Sequence, residues 1–263
     1  MFSNTKYYII DPSWQKNMFP IVNIGSSLFF IYWCYNNWSV PSILKIFLLS
    51  LSFGIIISLF AHRAWSHKSW MPNKGLNLIG LLIFTLLLTG TSIGYVSTHR
   101  QHHRYSDSDM DPHSPYYMSR WKIQFMLWRL DMEPFYVKDL IRDVYHIWFL
   151  KWYWVVNFTF LILLYFIGVE YLMFWIATIG LTHLKHQSVN TFCHRTPSVL
   201  LPTTHNSSIS NVLLLILTNP GECWHKNHHD NPKSYSFSIK WYEIDIPALI
   251  IKLFCKLRIA KIL

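Results

Sequence analysis

The sequence predicts an all-α integral membrane protein with four transmembrane helices and a polar, histidine-rich part on one face. Three observations predict it. The 263 residues are 52% hydrophobic and 14% charged, with a mean hydropathy of +0.21, whereas soluble domains carry about 25% charged residues. Long apolar runs recur along the chain. Eight of the 14 histidines fall in three short patches beside those runs: HRAWSH at 62–67, HRQHH at 99–103 and HKNHH at 225–229.

A helix needs about 20 apolar residues to cross a bilayer. Residues 20–35, 42–61, 76–97, 152–167 and 171–189 qualify as candidates, and 209–218 is apolar but too short. Five crossings conflict with the histidines. If 76–97 crossed once, the first and second patches would lie on opposite sides of the membrane, and metal bonds of about 2.1 Å allow no such separation. Residues 76–97 are therefore expected to be interfacial or re-entrant, and Thr85, Thr89, Gly90, Thr91, Ser92 and Gly94 make them less lipid-like than the other runs. Segments 152–167 and 171–189 form a hairpin through Gly168, Val169 and Glu170, so His194 and the third patch stay on the starting side. Segment 209–218 is expected at the interface.

Charge supports this arrangement. The two outer loops, 36–41 and 168–170, contain no Lys or Arg, and of the 23 basic residues only Lys45 falls near the outer face. Basic residues mark the cytosolic side, which places both termini and every histidine patch there. The net charge of +10 then reflects lipid-facing flanks and not a nucleic-acid surface. Cys34, Cys193, Cys223 and Cys255 form no CxxC pair, as expected of a reduced compartment. Residues 1–19, with Asp11 and Pro12, do not read as a signal peptide. One domain, 1–263, is the simplest division.

The histidine spacings carry chemistry. Positions i, i+3 and i+4 share a helix face, so His99, His102 and His103 should present imidazoles to a common point, and so should His225, His228 and His229. His62 and His67 are five apart, which suits a helix end. Imidazole binds iron, copper, zinc and nickel, and eight imidazoles exceed what one ion takes, so two ions are expected. Asp107, Asp109, Asp111 and Asp230 are candidates to accept hydrogen bonds from the rings of metal-bound histidines.

These residues resemble the three histidine boxes of the membrane fatty acyl desaturases, with HRAWSH, HRQHH followed by DSDMDPHSP, and GECWHKNHH in the family's order. The likeness is strongest to the Δ9, stearoyl-CoA type of acyl-CoA desaturase. It runs from about residue 20 to the C-terminus and includes NTFCH at 190–194 and KWYEID at 240–245. The resemblance implies a cytosolic helical cap on four transmembrane helices. It implies a di-iron centre held by His62, His67, His99, His102, His103, His194, His225, His228 and His229, with Asn190 reaching iron through a water. The implied reaction is the dioxygen-dependent insertion of a cis double bond into a saturated acyl chain linked to coenzyme A, a carrier protein or a lipid. The implied setting is a bacterial inner membrane or the endoplasmic reticulum. With no HPGG-type haem motif in the sequence, and no haem or flavin expected, electrons would come from a separate donor of the ferredoxin or cytochrome b5 type.

The chain departs from the family after DPH: SPYYMSRWKIQFMLW at 114–128 replaces the usual Gly-Phe and Ser-His-x-Gly-Trp stretch, which bears on substrate preference. An unactivated methylene offers no polar handle, so a shaped apolar tunnel must set the position of attack. Trp65, Trp70, Tyr95 and helix 171–189 are candidate walls. His113, His183 and His186 are expected to be structural, His146 to lie in the cap and His205 in a loop. The same histidine framework also serves hydroxylases, acetylenases and alkane oxidases. A non-enzymatic metal transporter would need ionisable residues along its spans, and these are scarce here.

Overall fold

The computed structural model describes residues 13–128, 132–194, 208–211 and 221–263. Apolar sequence of helical length forms α1 (Ser13–Asn36) and α2 (Val40–Ile56). Ser39 starts α2 by accepting a hydrogen bond from the Ser42 amide through its side chain, with Pro41 in the first turn, where a missing N–H costs nothing. α2 continues as a π-helix over Ile57–Ser66, all ten residues of which are buried. A two-stranded antiparallel ribbon follows, with β1 (Trp70–Pro72) pairing with β2 (Ala260–Ile262) near the C-terminus.

Residues 76–97 are not one helix. α3 (Lys74–Leu86) and α4 (Ser92–Tyr105) are separate, and between them Leu88 and Gly90 take φ of 57° and 109°, which ends a right-handed helix. Thr91 then caps α4 by accepting from the Gly94 amide. With 13 residues rising about 1.5 Å each, α3 spans about 20 Å, less than a hydrocarbon core of about 30 Å.

The chain continues through α5 (Arg120–Gln124), two short 3-10 turns, α6 (Val144–Lys151), α7 (Tyr153–Ile167) and α8 (Val169–Phe192). α9 (His225–Asp230) and α10 (Ile246–Lys256) complete the helices among the described residues. Of segment 209–218, residues 212–218 lie outside the described residues, as does His205. Ile209 donates its amide to the Cys193 carbonyl oxygen and Asn211 to that of Cys223, so this strip is stitched to the chain around the histidines.

Two stretches are long and apolar enough to cross a membrane, Met18–Asn36 and Val40–Ser66. The pair α6 and α7, bent by 62°, makes a third if it counts as one span. On α7, Val155, Phe158, Ile162, Leu163 and Phe166 are exposed, a surface suited to lipid and not to water. α8 is a continuous helix of 24 residues, but His183, Lys185 and His186 interrupt its apolar character.

α8 organises the bundle by packing along α1, α2 and α7. Gly180 allows the close approach of α1: a Cβ there would overlap the Ser26 carbonyl and lie 2.9 Å from Phe30 Cβ. His183 donates from Nε2 to the Leu87 carbonyl oxygen (3.2 Å) and meets the Ser26 hydroxyl with Nδ1 (3.2 Å), tying α8 to α1 and to the α3–α4 break. His146 makes the corresponding tie from α6 to Ser92 at the start of α4 (2.9 Å). His183 thus makes the hydrogen bonds of the structural role expected of it. The main core lies between the π segment, α3, α4 and α6, around Phe60, Trp65, Leu81, Phe84, Ile93 and Val96.

A buried ion pair fastens the C-terminal region to this core. Arg63, fully buried in the π segment, donates to Asp245 (2.9 Å) and to the Tyr235 carbonyl oxygen (2.7 Å), and its guanidinium stacks 3.8 Å from the centre of the Phe237 ring. Asp245 also accepts from the amides of Phe237 (2.7 Å) and Ala248 (3.1 Å), capping α10.

Asp245→Ala leaves Arg63 charged and half-partnered in the interior, so it should cost about 3–5 kcal/mol. Gly180→Ala should cost about 1–3 kcal/mol through the forced shift of α1. Thermal unfolding in detergent measures both, and an unchanged midpoint for either variant would refute the packing assigned to it.

Candidate metal centre

Nine histidines converge, in two groups. His62, His67, His99, His103 and His228 form one. His102, His194, His225 and His229 form the other. Within each group the ligand nitrogens all lie within 4.8 Å of one another. The elements that supply them are the π segment, α4, the residues just after α8, and α9.

Each triplet splits, contrary to the expectation of a common point. α4 gives His99 and His103 to the first group and His102 to the second. α9 does the reverse, giving His225 and His229 to the second group and His228 to the first. At about 100° per residue, positions i and i+4 differ by only 40° around the helix, whereas i+3 lies 60° to the other side of i. Each helix therefore clamps one group with its i, i+4 pair and reaches the other group with its middle histidine. His62 and His67 join one group because the π turn brings i and i+5 into register: the His67 amide donates to the His62 carbonyl oxygen, and the two ring centres are 5.1 Å apart.

The donor chemistry fits metal. Nε2 atoms approach at 2.7 Å (His67 to His99), 2.9 Å (His62 to His228 and His228 to His103) and 3.0 Å (His194 to His225). Two nitrogens about 2.1 Å from one ion would be about 3.0 Å apart at a right angle and about 4.2 Å apart when opposed. One proton can bridge two imidazoles, but it cannot satisfy four or five nitrogens facing one another. Burial, and after it repulsion among the neighbouring imidazoles, hold His67, His99, His103, His225, His228 and His229 well below the ordinary histidine pKa. The neutral ring is the form that ligates metal.

Carboxylates fix three rings from behind. His102 Nδ1 is 2.9 Å from Asp111, His194 Nδ1 is 3.2 Å from Asp107, and His62 Nδ1 is 2.8 Å from Glu222. An Nδ1–H donated outward leaves the Nε2 lone pair pointing inward. Asp111 is itself held by the amides of Asp107 (2.8 Å) and His113 (3.1 Å). Burial alone would raise its pKa, but the charge and hydrogen bond of His102 outweigh it and keep Asp111 ionised far below the usual range. Glu222 is governed by the same balance. Burial raises its pKa, while His62, Arg63 and the donating Ser58 hydroxyl bring it down to about 2.

Asp107 and Asp111 thus sit where the sequence suggested. Asp230 does not: its carboxylate, half-exposed, pairs with Lys226 at 2.7 Å and turns away from the imidazoles, because i and i+4 share the outer face of α9. Asp109 is exposed. Glu222 is the residue that sequence reasoning missed. His113 packs against His102, with ring centres 4.3 Å apart, and forms a third cluster with His102 and Asp111.

A cavity of about 900 Å³, including its open mouth, leads to these groups. Tyr95, Thr98, Gln187, Asn190, Met126 and Trp128 line it, and it reaches His62, His99 and His225. Tyr95 therefore stands in the wall, its ring 5.9 Å from that of His99 and nearly parallel to it. Asn190 lines the same cavity and donates to Gln187 Oε1 (3.3 Å). Trp65 and Trp70 are not wall residues. Both are buried in the core behind the π segment, where Trp65 donates to Asn77 Oδ1 (2.8 Å) and Trp70 to the Leu59 carbonyl oxygen (2.9 Å). An indole N–H seeks a polar partner when buried, and these two found theirs away from the cavity.

Two outcomes follow. Glu222→Ala frees the His62 ring and should lower metal affinity about 10–100-fold, while Glu222→Gln, which still accepts from Nδ1–H, should retain most of it. Titration of the metal-stripped protein with ferrous iron measures the difference, and equal affinities would refute the orienting role. The second concerns pH. In metal-stripped protein the buried imidazoles refuse protons that the unfolded chain takes up near the ordinary value of 6.5. The unfolded state therefore binds more protons, and stability should fall as pH drops below about 6.5; denaturant melts at pH 5 and pH 8 check the sign.

Comparison with known proteins agrees with the geometry. The profile of the fatty acid desaturase family matches residues 36–256. The chain is 31% identical over 254 residues to Delta-9 acyl-lipid desaturase 1 of Arabidopsis thaliana, covering 91% of this chain and 81% of that one. It is 30% identical to the sn-2 palmitoyl-lipid 9-desaturase of Nostoc sp. (strain 36), covering 86% and 81%. It is 29% identical to the Acyl-CoA C20 Delta5-desaturase of Anemone leveillei, covering 91% and 79%. The histidine groups, the apolar helices and these matches identify the chain as a member of the fatty acid desaturase family, an oxidoreductase of the Δ9 type that acts on fatty acyl chains.

Proposed function

We propose that the chain inserts a cis double bond at the Δ9 position of a saturated acyl chain, using two iron ions. The observation that carries this reading is the division of nine imidazoles into groups of five and four beside a cavity that reaches both groups. His62, His67, His99, His103 and His228 would hold one ion. His102, His194, His225 and His229 would hold the other, with Asn190 acting through a water. When bound, the iron pair supplies the dioxygen-dependent oxidation that removes two hydrogens from neighbouring methylenes.

The protein's part is orientation and exclusion of water. Tyr95 and the α8 residues Gln187, Val189 and Asn190 form walls between which an extended chain lies against His99 and His225. Asp107, Asp111 and Glu222 keep three rings in one tautomer throughout the cycle. Electrons come from a separate donor of the ferredoxin or cytochrome b5 type, and the net charge of +10 suits an acidic partner. α1, α2, α7 and α8 are the four spans in this reading, with the α6–α7 bend at the interface and the histidines on the cytosolic side. Val40–Ser66, at 27 residues, rises about 40 Å, which carries His62 beyond a core of about 30 Å.

Expression in a desaturase-deficient host, followed by mass spectrometry of its fatty acids, tests the reaction. A new cis-Δ9 monoene should appear, and saturated chains supplied as coenzyme A thioesters or as lipids to isolated membranes identify the carrier. His102→Ala should abolish the product; a persisting double bond, or a hydroxylated chain in its place, would overturn the reading.

A further inference from the structure

A second, smaller chamber, about 250 Å³ with its open mouth included and with room for about one water, lies between α2 and α8. Ser50, Thr182 and Lys185 line it, together with His186, Val189 and Glu222, which also border the main cavity. Two polar atoms in this region are buried with no partner among the described residues: the Lys185 ammonium and the Ser50 hydroxyl. Lys185 lies within α8, 7% exposed, with its Nζ 4.8 Å from the centre of the Phe47 ring. An ammonium has three hydrogens to donate, and leaving them unbonded in the interior is costly. A polar space with a hydroxyl, an amine, an imidazole and a carboxylate around it is the kind of cavity that holds ordered water.

The desaturase reaction needs such a space. Reducing dioxygen to two waters takes four electrons and four protons. The substrate gives two of each as its two hydrogens leave, the donor protein gives two electrons, and two protons must come from solvent. An acyl chain filling the main cavity closes that route to water. His186 borders both spaces, and its ring lies 5.9 Å from Tyr95 on the main-cavity side. An imidazole can accept a proton at one nitrogen and release one from the other.

We propose that the chamber between α2 and α8 holds water and is the proton entry to the metal centre, with Lys185 passing protons through that water to His186. The proposal rests on the desaturase reading. It requires no change at Glu222, whose carboxylate stays bonded to His62 and Ser58. Each proton that Lys185 gives up is replaced by one drawn from solvent through the chamber water, so no hydroxide is left behind.

X-ray radiolytic labelling of the full-length, metal-stripped protein in detergent reads the water directly. Hydroxyl radicals formed from chamber water should label Thr182, Lys185 and Val189 at least severalfold faster than the dry core residue Ile46; equal, low labelling overturns the proposal. In iron-loaded protein, Lys185→Met should lower turnover about tenfold or more, release peroxide in place of alkene and change the solvent deuterium isotope effect. Iron content and the melting temperature should hold, since Met fills the space without a charge to bury, and Lys185→Arg should restore part of the coupling. Wild-type turnover and coupling in Lys185→Met overturns proton entry even if the chamber is wet, and a fall in melting temperature without a change in isotope effect assigns Lys185 a structural role instead. Absence of alkene from wild-type protein, with the chamber still labelled, would sink the desaturase reading and leave the water site standing.

Discussion

The structure depends on the hydrogen bonds that carboxylates make to the backs of imidazoles. Nine lone pairs facing one another repel, and no arrangement of protons relieves all of them. Each ring needs a reason to face inward before any ion is present. Asp111, Asp107 and Glu222 supply that reason to His102, His194 and His62, fixing two rings in the four-membered group and one in the five-membered group. The carboxylates need support in turn. Asp111 takes it from two backbone amides, and Glu222 from the Ser58 hydroxyl and the Arg63 guanidinium, 3.7 Å away. Despite burial, those partners hold the pKa values of Asp111 and Glu222 below the ordinary carboxylate range, which favours the ionised form that accepts from the rings.

Arg63 extends this support into the fold. It is one residue from His62 and pairs with Asp245, the cap of α10. The C-terminal region is thereby anchored to the same π turn that brings His62 and His67 together, and the β1–β2 ribbon anchors it a second time just beyond His67. A regular α-helix over 57–66 would rotate His67 about 140° away from His62. Side-chain hydrogen bonds to its backbone hold the wider turn: Ser66 Oγ donates to the Ala61 carbonyl oxygen, and Ser69 Oγ to that of Arg63. π turns inside helices concentrate at functional sites for this reason, since they place side chains where a regular helix cannot.

Much of this was legible in the residues. The nine converging histidines were all named from spacing, order and family likeness, and the apolar runs at 20–35 and 42–61 fall inside the two candidate spans. The break within 76–97 was foreshadowed by Thr89 and Gly90. What could not be read depends on distance in sequence or on direction in space. Glu222 meets His62 across 160 residues, and its own neighbours, Gly221 and Cys223, give no hint of a ring partner. The splitting of each HxxHH triplet follows from helix rotation only when two facing helices are known to share two sites. Trp65 and Trp70 carry the composition of a tunnel wall and lie in the core, packed on Phe60 and donating to Asn77 and to the Leu59 carbonyl oxygen. Asp230 could have been set aside from sequence, since Lys226 stands four residues before it on the same helix.

The part of the chain that departs from the family bears on what the enzyme accepts. Residues 114–128 fold as α5 and the turn after it. Gln124 docks that turn on α8, donating to the Leu184 carbonyl oxygen (2.9 Å) and accepting from Thr191 (3.1 Å). Met126 then takes a φ of 55°, a conformation an L residue adopts only when its surroundings impose it. The turn delivers Met126 and Trp128 to the cavity wall opposite Asn190 in sequence but beside it in space, all three bordering the same void. A methylene chain has no group to recognise, so the carbon that reaches the metal centre is chosen by how far the chain can advance. Met126, unbranched and adaptable, and Trp128, rigid and large, both face that void. Gln124 thus ties the turn that carries them to the same helix that carries Val189 and Asn190.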